Sequence, residues 1–401
     1  MRGARGPGAA GTLTMQSLRV LVAHNSYQMR GGEDAVVDAE VALLRSHGHA
    51  VTEYRRHNDE LQDMRTLDAA VDTLWSRKTG RDLDALVAQA RPDVVHVHNT
   101  FPLISPSLYW AAHRHGIPVV QTLHNFRLLC PQAMFLRDGK VCEDCLGHVP
   151  WRAVKHGCYR ESRAQSAALG GMLVMHRMFG TWRHKVARYI ALNEFCRNKF
   201  IEGGLPADRI AVKPNFVDFE VPLARPRTGV LFVGRLSPEK GIDVLARAAS
   251  EVSGLQLRVA GTGPAEYALN GVPGVKWLGA LAQAAVREEM SGAIALVLPS
   301  IWYENFPRTL VEAFACGLPV IASRIGALAE LVVEGVTGLL FEPGDPGDLA
   351  AKLRWAQEHA MEMAAMGLRA RLWFEENFTP ERNYGQLMDI YRVAQMGNVG
   401  A

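Results

Sequence analysis

What this chain has little of narrows it first. No run of about 18 or more apolar residues occurs in its 401 residues, which argues against a membrane-spanning helix. The glycine- and alanine-rich start, residues 1–14, carries two arginines but lacks the roughly 7 to 15-residue apolar core of a secretory signal. Residues 1–16 are expected to be a disordered extension, with Met15 as the alternative start, and the protein is expected in the cytoplasm. The net charge is only +3, too little to argue for a nucleic-acid partner. No repeat with a period of about 20 to 50 residues is visible, so solenoids and propellers are set aside. Gly261-Thr262-Gly263 lacks a third glycine and a well-placed acidic residue about 20 positions on, so an NAD enzyme is disfavoured.

What is present is an ordinary globular composition, 48% hydrophobic and 21% charged, in a chain too long for one comfortable core. Short β-rich runs alternate with amphipathic stretches. The runs 19–23, 50–54, 93–97, 118–123, 189–192 and 210–213 form one series, with a helix expected over 33–47. A second series comprises 230–233, 255–260, 275–278, 293–298, 320–322 and 339–341. Strands alternating with helices imply parallel sheets. Residues 217–228, with Pro222 and Pro226 and little apolar periodicity, suit a linker. The architecture expected is α/β, two Rossmann-like domains facing a cleft. The first spans 17–216 with a cysteine-rich insertion at 126–160, and the second spans 229–380. A long helical stretch over 346–375 precedes another near 380–395, and residues 381–401 are expected to return to the first domain.

The chemistry concentrates at strand ends. Glu304 and Glu312 have seven residues between them, one in the loop after an apolar run and the other just inside the next helix. In an open α/β sheet that crevice receives ligands, and a helix N-terminus there favours phosphate. Paired carboxylates beside a phosphate site suit the hydroxyls of a nucleotide sugar; two solvated helix-cap residues would give the same spacing. Arg235 ends a strand and Lys240 follows five residues on, a fork and a point charge able to reach one ligand, or simply two exposed cations. Gly31-Gly32 precedes a helix, where missing Cβ atoms would admit a phosphate or sugar, or make an ordinary turn. His124 lies at the carboxyl end of a strand. His96 and His98 alternate with Val97 and so share one face; burial with hydrogen bonds suits them better than catalysis, although His98 could line the cleft.

Taken in order, residues 233–241 (VGRLSPEKG), 260–264 (AGTGP), 277–279 (WLG), the two-glutamate stretch and 312–323 (EAFACGLPVIAS) resemble the family-four retaining glycosyltransferases of GT-B fold. Gly31-Gly32, residues 96–99 (HVHN) and 122–125 (TLHN) match more loosely. The resemblance implies transfer of a hexose-type sugar from a nucleoside diphosphate donor to a hydroxyl, with retention. The acceptor would be a glycan or lipid-linked, as in cell-surface polysaccharide or glycolipid synthesis. It implies that Arg235 and Lys240 hold the pyrophosphate, that Glu312 meets the ribose, and that Glu304, with Asn305 and Phe306, meets the transferred sugar. Gly31 and Gly32 would approach the donor, and His124 would face donor sugar and acceptor. It also implies a front-face mechanism, without a catalytic metal. Many relatives carry glycine where Pro307 stands, so one backbone donor is missing here.

Asp82-Leu83-Asp84 has the form of a metal-holding pair but falls in an amphipathic helix. Cys130, Cys142, Cys145 and Cys158 have the number and softness for a structural zinc; buried unligated thiols are the alternative, and a reducing cytoplasm disfavours disulfides. Residues 151–200 hold ten Lys and Arg against two acidic residues, with Met172 to Met175, Met178 and Phe179 among them. That suits peripheral docking on an anionic bilayer or a lipid-linked acceptor, or else a core helix with a basic face. Against the transferase stand a nucleotide-sugar epimerase and a non-catalytic nucleotide-sugar-binding protein of the same architecture.

Overall fold

A computed structural model describes residues 17–28, 31–223 and 225–397. The extension expected over residues 1–16 lies outside the described residues, as do the last four of residues 381–401. The first sheet takes β1 (Arg19–Ser26), β2 (Ala50–His57), β3 (Val94–Asn99), β4 (Val119–Thr122), β7 (Arg188–Ala191) and β8 (Ile210–Val212) in the order β2-β1-β3-β4-β7-β8. Between β4 and β7 a separate antiparallel hairpin pairs β5 (Leu136–Arg137) with β6 (Lys140–Val141). The second sheet is β11-β10-β9-β12-β13-β14, built from β9 (Val230–Val233), β10 (Leu257–Ala260), β11 (Val275–Gly279), β12 (Ala295–Leu298), β13 (Val320–Ser323) and β14 (Gly338–Phe341). Every pair within the two large sheets is parallel.

Parallel strands covered on both faces must be apolar nearly throughout. β12, β13 and β14 are buried along their whole length. β3 is also buried at every position, yet it carries His96 and His98, so those two must find partners inside. The second sheet has the order of a dinucleotide-binding fold, while the first places β2 and β1 ahead of β3 in a flavodoxin-like order. Both are doubly wound. Each reverses direction once, between β1 and β3 in one and between β9 and β12 in the other, and crevices open at those points beyond the strands' carboxyl ends.

One sequence expectation shifts. The stretch 346–375 is two helices, Pro346–Glu358 and Ala360–Asn377, broken at His359. There the ring stacks on Trp355 at 4.3 Å and Nδ1 bonds the Trp355 carbonyl at 2.8 Å, so the side chain caps the first helix where the backbone leaves helical angles. The basic stretch 151–200 is interrupted by β7; helix Arg163–Met178 buries Met172 and Leu173 and exposes Met178, with Phe179 exposed just beyond it.

Helix Pro380–Met396 crosses back to the first sheet, where Leu387, Met388, Ile390 and Tyr391 share a core with Val20, Val22, Val120 and Ile190. Elsewhere the halves meet through aromatic packing, Tyr303 lying 4.8 Å from Phe195 and 6.2 Å from Phe135 between ring centroids, and through polar contacts. Asn305 Nδ2 donates to the Leu123 carbonyl at 2.7 Å, and Asn193 Nδ2 donates to the Asn305 carbonyl at 2.6 Å. The Glu330 carboxylate accepts from the amides of Glu194 and Phe195 at the start of helix Glu194–Glu202.

Candidate active site

The turn after β9 is shaped by backbone. Gly241 has φ 73°, and a Cβ there would lie 1.9 Å from the Pro299 carbonyl oxygen, so only glycine allows this turn to touch the loop after β12. The Ile301 amide donates to the Glu239 carbonyl at 3.0 Å, fastening the two loops. Lys240 is thereby delivered to Glu304, Nζ to Oε1 at 2.6 Å. The same Oε1 accepts from Ser300 Oγ at 2.6 Å and from Trp302 Nε1 at 3.3 Å. Three donors on one oxygen orient the carboxylate and leave Oε2 as the atom that can take a ligand hydroxyl.

Two adjoining cavities occupy the crevice. One, of about 250 Å³, is lined by Gly32, Glu33, His124, Asn215, Lys240, Glu304, Phe306 and Arg308 among others. The second, of about 340 Å³, includes Gly31, Gly32, Gln283, Arg308, Thr309 and Glu312 in its wall. They share Gly32, Val233, Arg308 and Thr309, so they join beside the N-terminus of helix Arg308–Ala315. Pro307 is the residue before that helix, with extended backbone, rather than its first residue. Glu312 lies within the helix, buried, and forms an ion pair with Arg308, Nε to Oε1 at 3.2 Å. Burial raises its pKa, and Arg308 with Arg287 works against the rise.

Gly32 lines both cavities and Gly31 the second, where Gly31 N–H donates to Asp34 Oδ2 at 2.8 Å. Gly31 is extended at φ −111°, Gly32 is not left-handed, and a Cβ on Gly32 would meet nothing within 4 Å. The open space in front of Gly32 leaves room for a ligand to approach closely.

The candidates do not all converge. Arg235 lines neither cavity; its side chain is 58% exposed and its guanidinium is bound to Glu239. Asn305 turns its side chain into the interface between the halves rather than to the cavities. Sequence reasoning passed over Arg308 and Glu33. A cation opening the helix that carries Glu312 was the signal for Arg308. Glu33 directly follows the glycine pair; burial raises its pKa to about 7, countered by His24 and by the bond from Tyr27.

His124 reaches the first cavity from behind β4. Its Nε2 lies 2.9 Å from His98 Nδ1, and burial, followed by the neighbouring histidines, holds its pKa well below the ordinary value. It is therefore neutral near pH 7. Asp82 and Asp84 sit on helix Arg77–Gln89 and serve separate partners, Lys78 with Tyr54 and Arg114 with His115, as a helix surface does.

All six cysteines are free thiols. Cys130, Cys142, Cys145 and Cys158 lie in one lobe with the β5–β6 hairpin. Burial, with Cys130 next, pushes Cys145 up to about 11, and Cys158 rises for the same reasons. Among the described residues, the set whose ligand atoms all fall within 4.8 Å of one another is Glu40, His96 and His98, not the cysteines.

Two doubly wound domains meet at a crevice that holds a helix N-terminus and two carboxylates, the place where such folds bind ligands. Comparison with known proteins makes the class specific. Residues 30–221 match the model of glycosyltransferase family 4 and residues 227–359 that of glycosyl transferases group 1. Glycogen synthase of Mycobacterium tuberculosis is 35% identical over 324 residues, covering 77% of this chain and 70% of that one. D-inositol 3-phosphate glycosyltransferase of Mycolicibacterium vanbaalenii is 28% identical over 291 residues, 65% of this chain and 58% of its own length. The chain thus spans little more than half of that relative. The crystal structure of Anabaena HepE in complex with UDP-glucose superposes with a TM-score of 0.64 at 19% identity, covering 93% of this chain and 98% of that one. The chain belongs to the group 1, family 4 glycosyltransferases, and its fold is GT-B.

Proposed function

We propose that this protein transfers a sugar, with retention, from a nucleoside diphosphate sugar to a hydroxyl of a glycan or lipid-linked acceptor. The observation that carries the reading is the convergence of Gly31-Gly32, Lys240, Glu304 and Glu312, from both domains, on two joined cavities at a helix N-terminus. In this reading Lys240, and Arg308 beside it, stabilise the charge developing on the leaving diphosphate. Glu304 Oε2 accepts from a hydroxyl of the transferred sugar, and Glu312 accepts from the ribose in the second cavity. Arg235 joins the diphosphate only by releasing Glu239. The reaction needs no catalytic metal; leaving-group charge is met by side chains and helix amides, and the leaving phosphate takes the acceptor proton on the same face. The likeness to HepE makes UDP-glucose the first donor to try.

The exposed Trp151, Met178 and Phe179 beside basic residues support a peripheral station at the cytoplasmic face of a membrane, for a surface polysaccharide or glycolipid. No helix among the described residues is long and apolar enough to cross one. The domain limits proposed are 17–216 and 229–380, joined by 217–228. Structural zinc on the four lobe cysteines is part of the proposal, supported by their number, the Cys142–Cys145 pair and their shared lobe.

A thermal-shift screen of UDP, GDP, ADP and their sugars tests the donor site, since a ligand at a hundred times its Kd stabilises by about 2.7 kcal/mol. A shift with one nucleotide series, followed by a retained anomer in the proton NMR of the product, is expected. An inverted product would remove the retaining mechanism. Binding without transfer would favour the non-catalytic alternative, and interconversion of the free nucleotide sugar the epimerase.

A further inference from the structure

Beneath His124 lies a buried polar chain assembled from five segments. Glu40, on helix Gly32–Ser46, accepts from Lys213 Nζ at 2.9 Å on Oε2. Its Oε1 faces His96 Nδ1 at 2.9 Å and His98 Nε2 at 3.3 Å. Lys213 Nζ also donates to Asn383 Oδ1 at 3.0 Å, and Tyr391 Oη meets His96 Nδ1 at 2.7 Å, both from the returning C-terminal helix. Glu40, His96, His98 and Lys213 are all buried. The chain surfaces only at His124, in the wall of the first cavity.

We propose that Glu40 and His98 are positioning residues that hold His124 as the tautomer protonated on Nε2, presenting a bare Nδ1 to the cavity. The argument is one of proton placement. Glu40 is ionised, because Lys213 and His96 outweigh its burial. His98 Nε2 has no hydrogen-bonding partner apart from the ion-pair approach of Glu40 Oε1. A lone pair there would face a carboxylate oxygen, so the proton belongs on Nε2 and His98 Nδ1 is left an acceptor. His98 is neutral, burial holding its pKa down to about 3. The 2.9 Å contact between His98 Nδ1 and His124 Nε2 then has one way to form, with His124 Nε2–H as donor. His124 offers the ligand an acceptor and no proton. On the donor-site reading above, that acceptor suits a sugar hydroxyl and rules His124 out as a general acid.

The test is a long-range proton–nitrogen correlation spectrum of the full chain labelled with ¹⁵N-histidine, at pH 7.5 without ligand. His124 is identified by the signals lost in His124→Asn. The Nε2–H pattern is expected; an Nδ1–H pattern or an imidazolium at His124 overturns the proposal. His98→Asn, whose Oδ1 can stand where His98 Nδ1 stood, should keep that pattern and most of the activity. His98→Leu should lose the single tautomer and cut turnover about tenfold, the scale of one hydrogen bond. If His98→Leu fails to fold, the wild-type and His98→Asn spectra decide alone. Absence of nucleotide binding with the Nε2–H pattern intact would sink the donor-site reading and leave the tautomer assignment standing.

Discussion

The two sides of the cleft are built in opposite ways. The second domain presents its polar groups on short loops after β9 and β12, brought together across 64 positions. Lys240 and Glu304 pair at the surface of the cavity, where a ligand can exchange them. The first domain packs Lys213, Glu40, His96 and His98 against one another under the cavity floor, and of this polar chain it is His124 that reaches the cavity. Charged groups at a cavity wall can bind what enters; charged groups sealed behind it can only set the state of the residue in front. The difference separates a binding surface from a support.

The widest separation between the sides should appear in stability. Lys213→Met leaves Glu40 buried without its cation and is expected to cost about 3 to 5 kcal/mol in urea unfolding, the scale for breaking a buried pair. Lys240→Met, at a partly exposed pair, should change stability little. Similar losses from both would erase the contrast.

In turnover the order reverses. Lys240→Ala should lower kcat by about a hundredfold or more, as for loss of one donor to a developing anion. Arg235→Ala should cost much less, because its guanidinium is turned to Glu239 outside both cavities. Equal losses, read by initial rates, would show that Arg235 swings inward during the reaction.

Acid sharpens the same contrast. His98 is held neutral down to about pH 3 when folded, whereas the unfolded chain takes up its proton near pH 6.5. The unfolded state therefore binds more protons below pH 6.5, and stability falls as the pH drops. At pH 5 the penalty from His98 is about 2 kcal/mol, and His124 adds in the same direction. Above pH 7 neither contributes a slope. Urea midpoints at pH 7.5 and pH 5 in wild type and His98→Asn measure it; an unchanged midpoint in the wild type would mean that His98 is not held neutral.

The smallest effect on the donor side is expected from the cysteine lobe. Chelation should loosen residues 126–160 by hydrogen exchange and impair acceptor use, with nucleotide binding in the second domain almost unchanged. Freshly purified protein without zinc, and with all four thiols titrating freely, would remove the metal.

How much of this was legible follows the same divide. The strand series, the parallel sheets and the crevice after β12 could be read because parallel strands must be apolar and ligand loops follow them directly. Gly31-Gly32, Lys240, Glu304 and Glu312 could be named because each sits in a local pattern. Arg235 shared such a pattern, yet its contact with Glu239 depends on a rotamer that spacing does not specify. Asn305 lies between two cavity residues and faces the other way, since a loop has no fixed period. The helix break at His359 came from one ring stacking on Trp355, a preference too small to show in a pattern of apolar residues.

By itself the sequence determined the class of fold, the order of the strands along the chain and the chemical character of the cleft, because hydrophobic period and glycine placement act within a few residues. Tertiary structure alone decided that Glu40 meets Lys213 across 173 positions and that Tyr391 reaches His96 across 295. It alone decided, too, which neighbour His98 would offer to His124. A buried charge is tolerable only where a partner arrives from elsewhere in the fold, and nothing in the residues around Glu40 says which partner that will be.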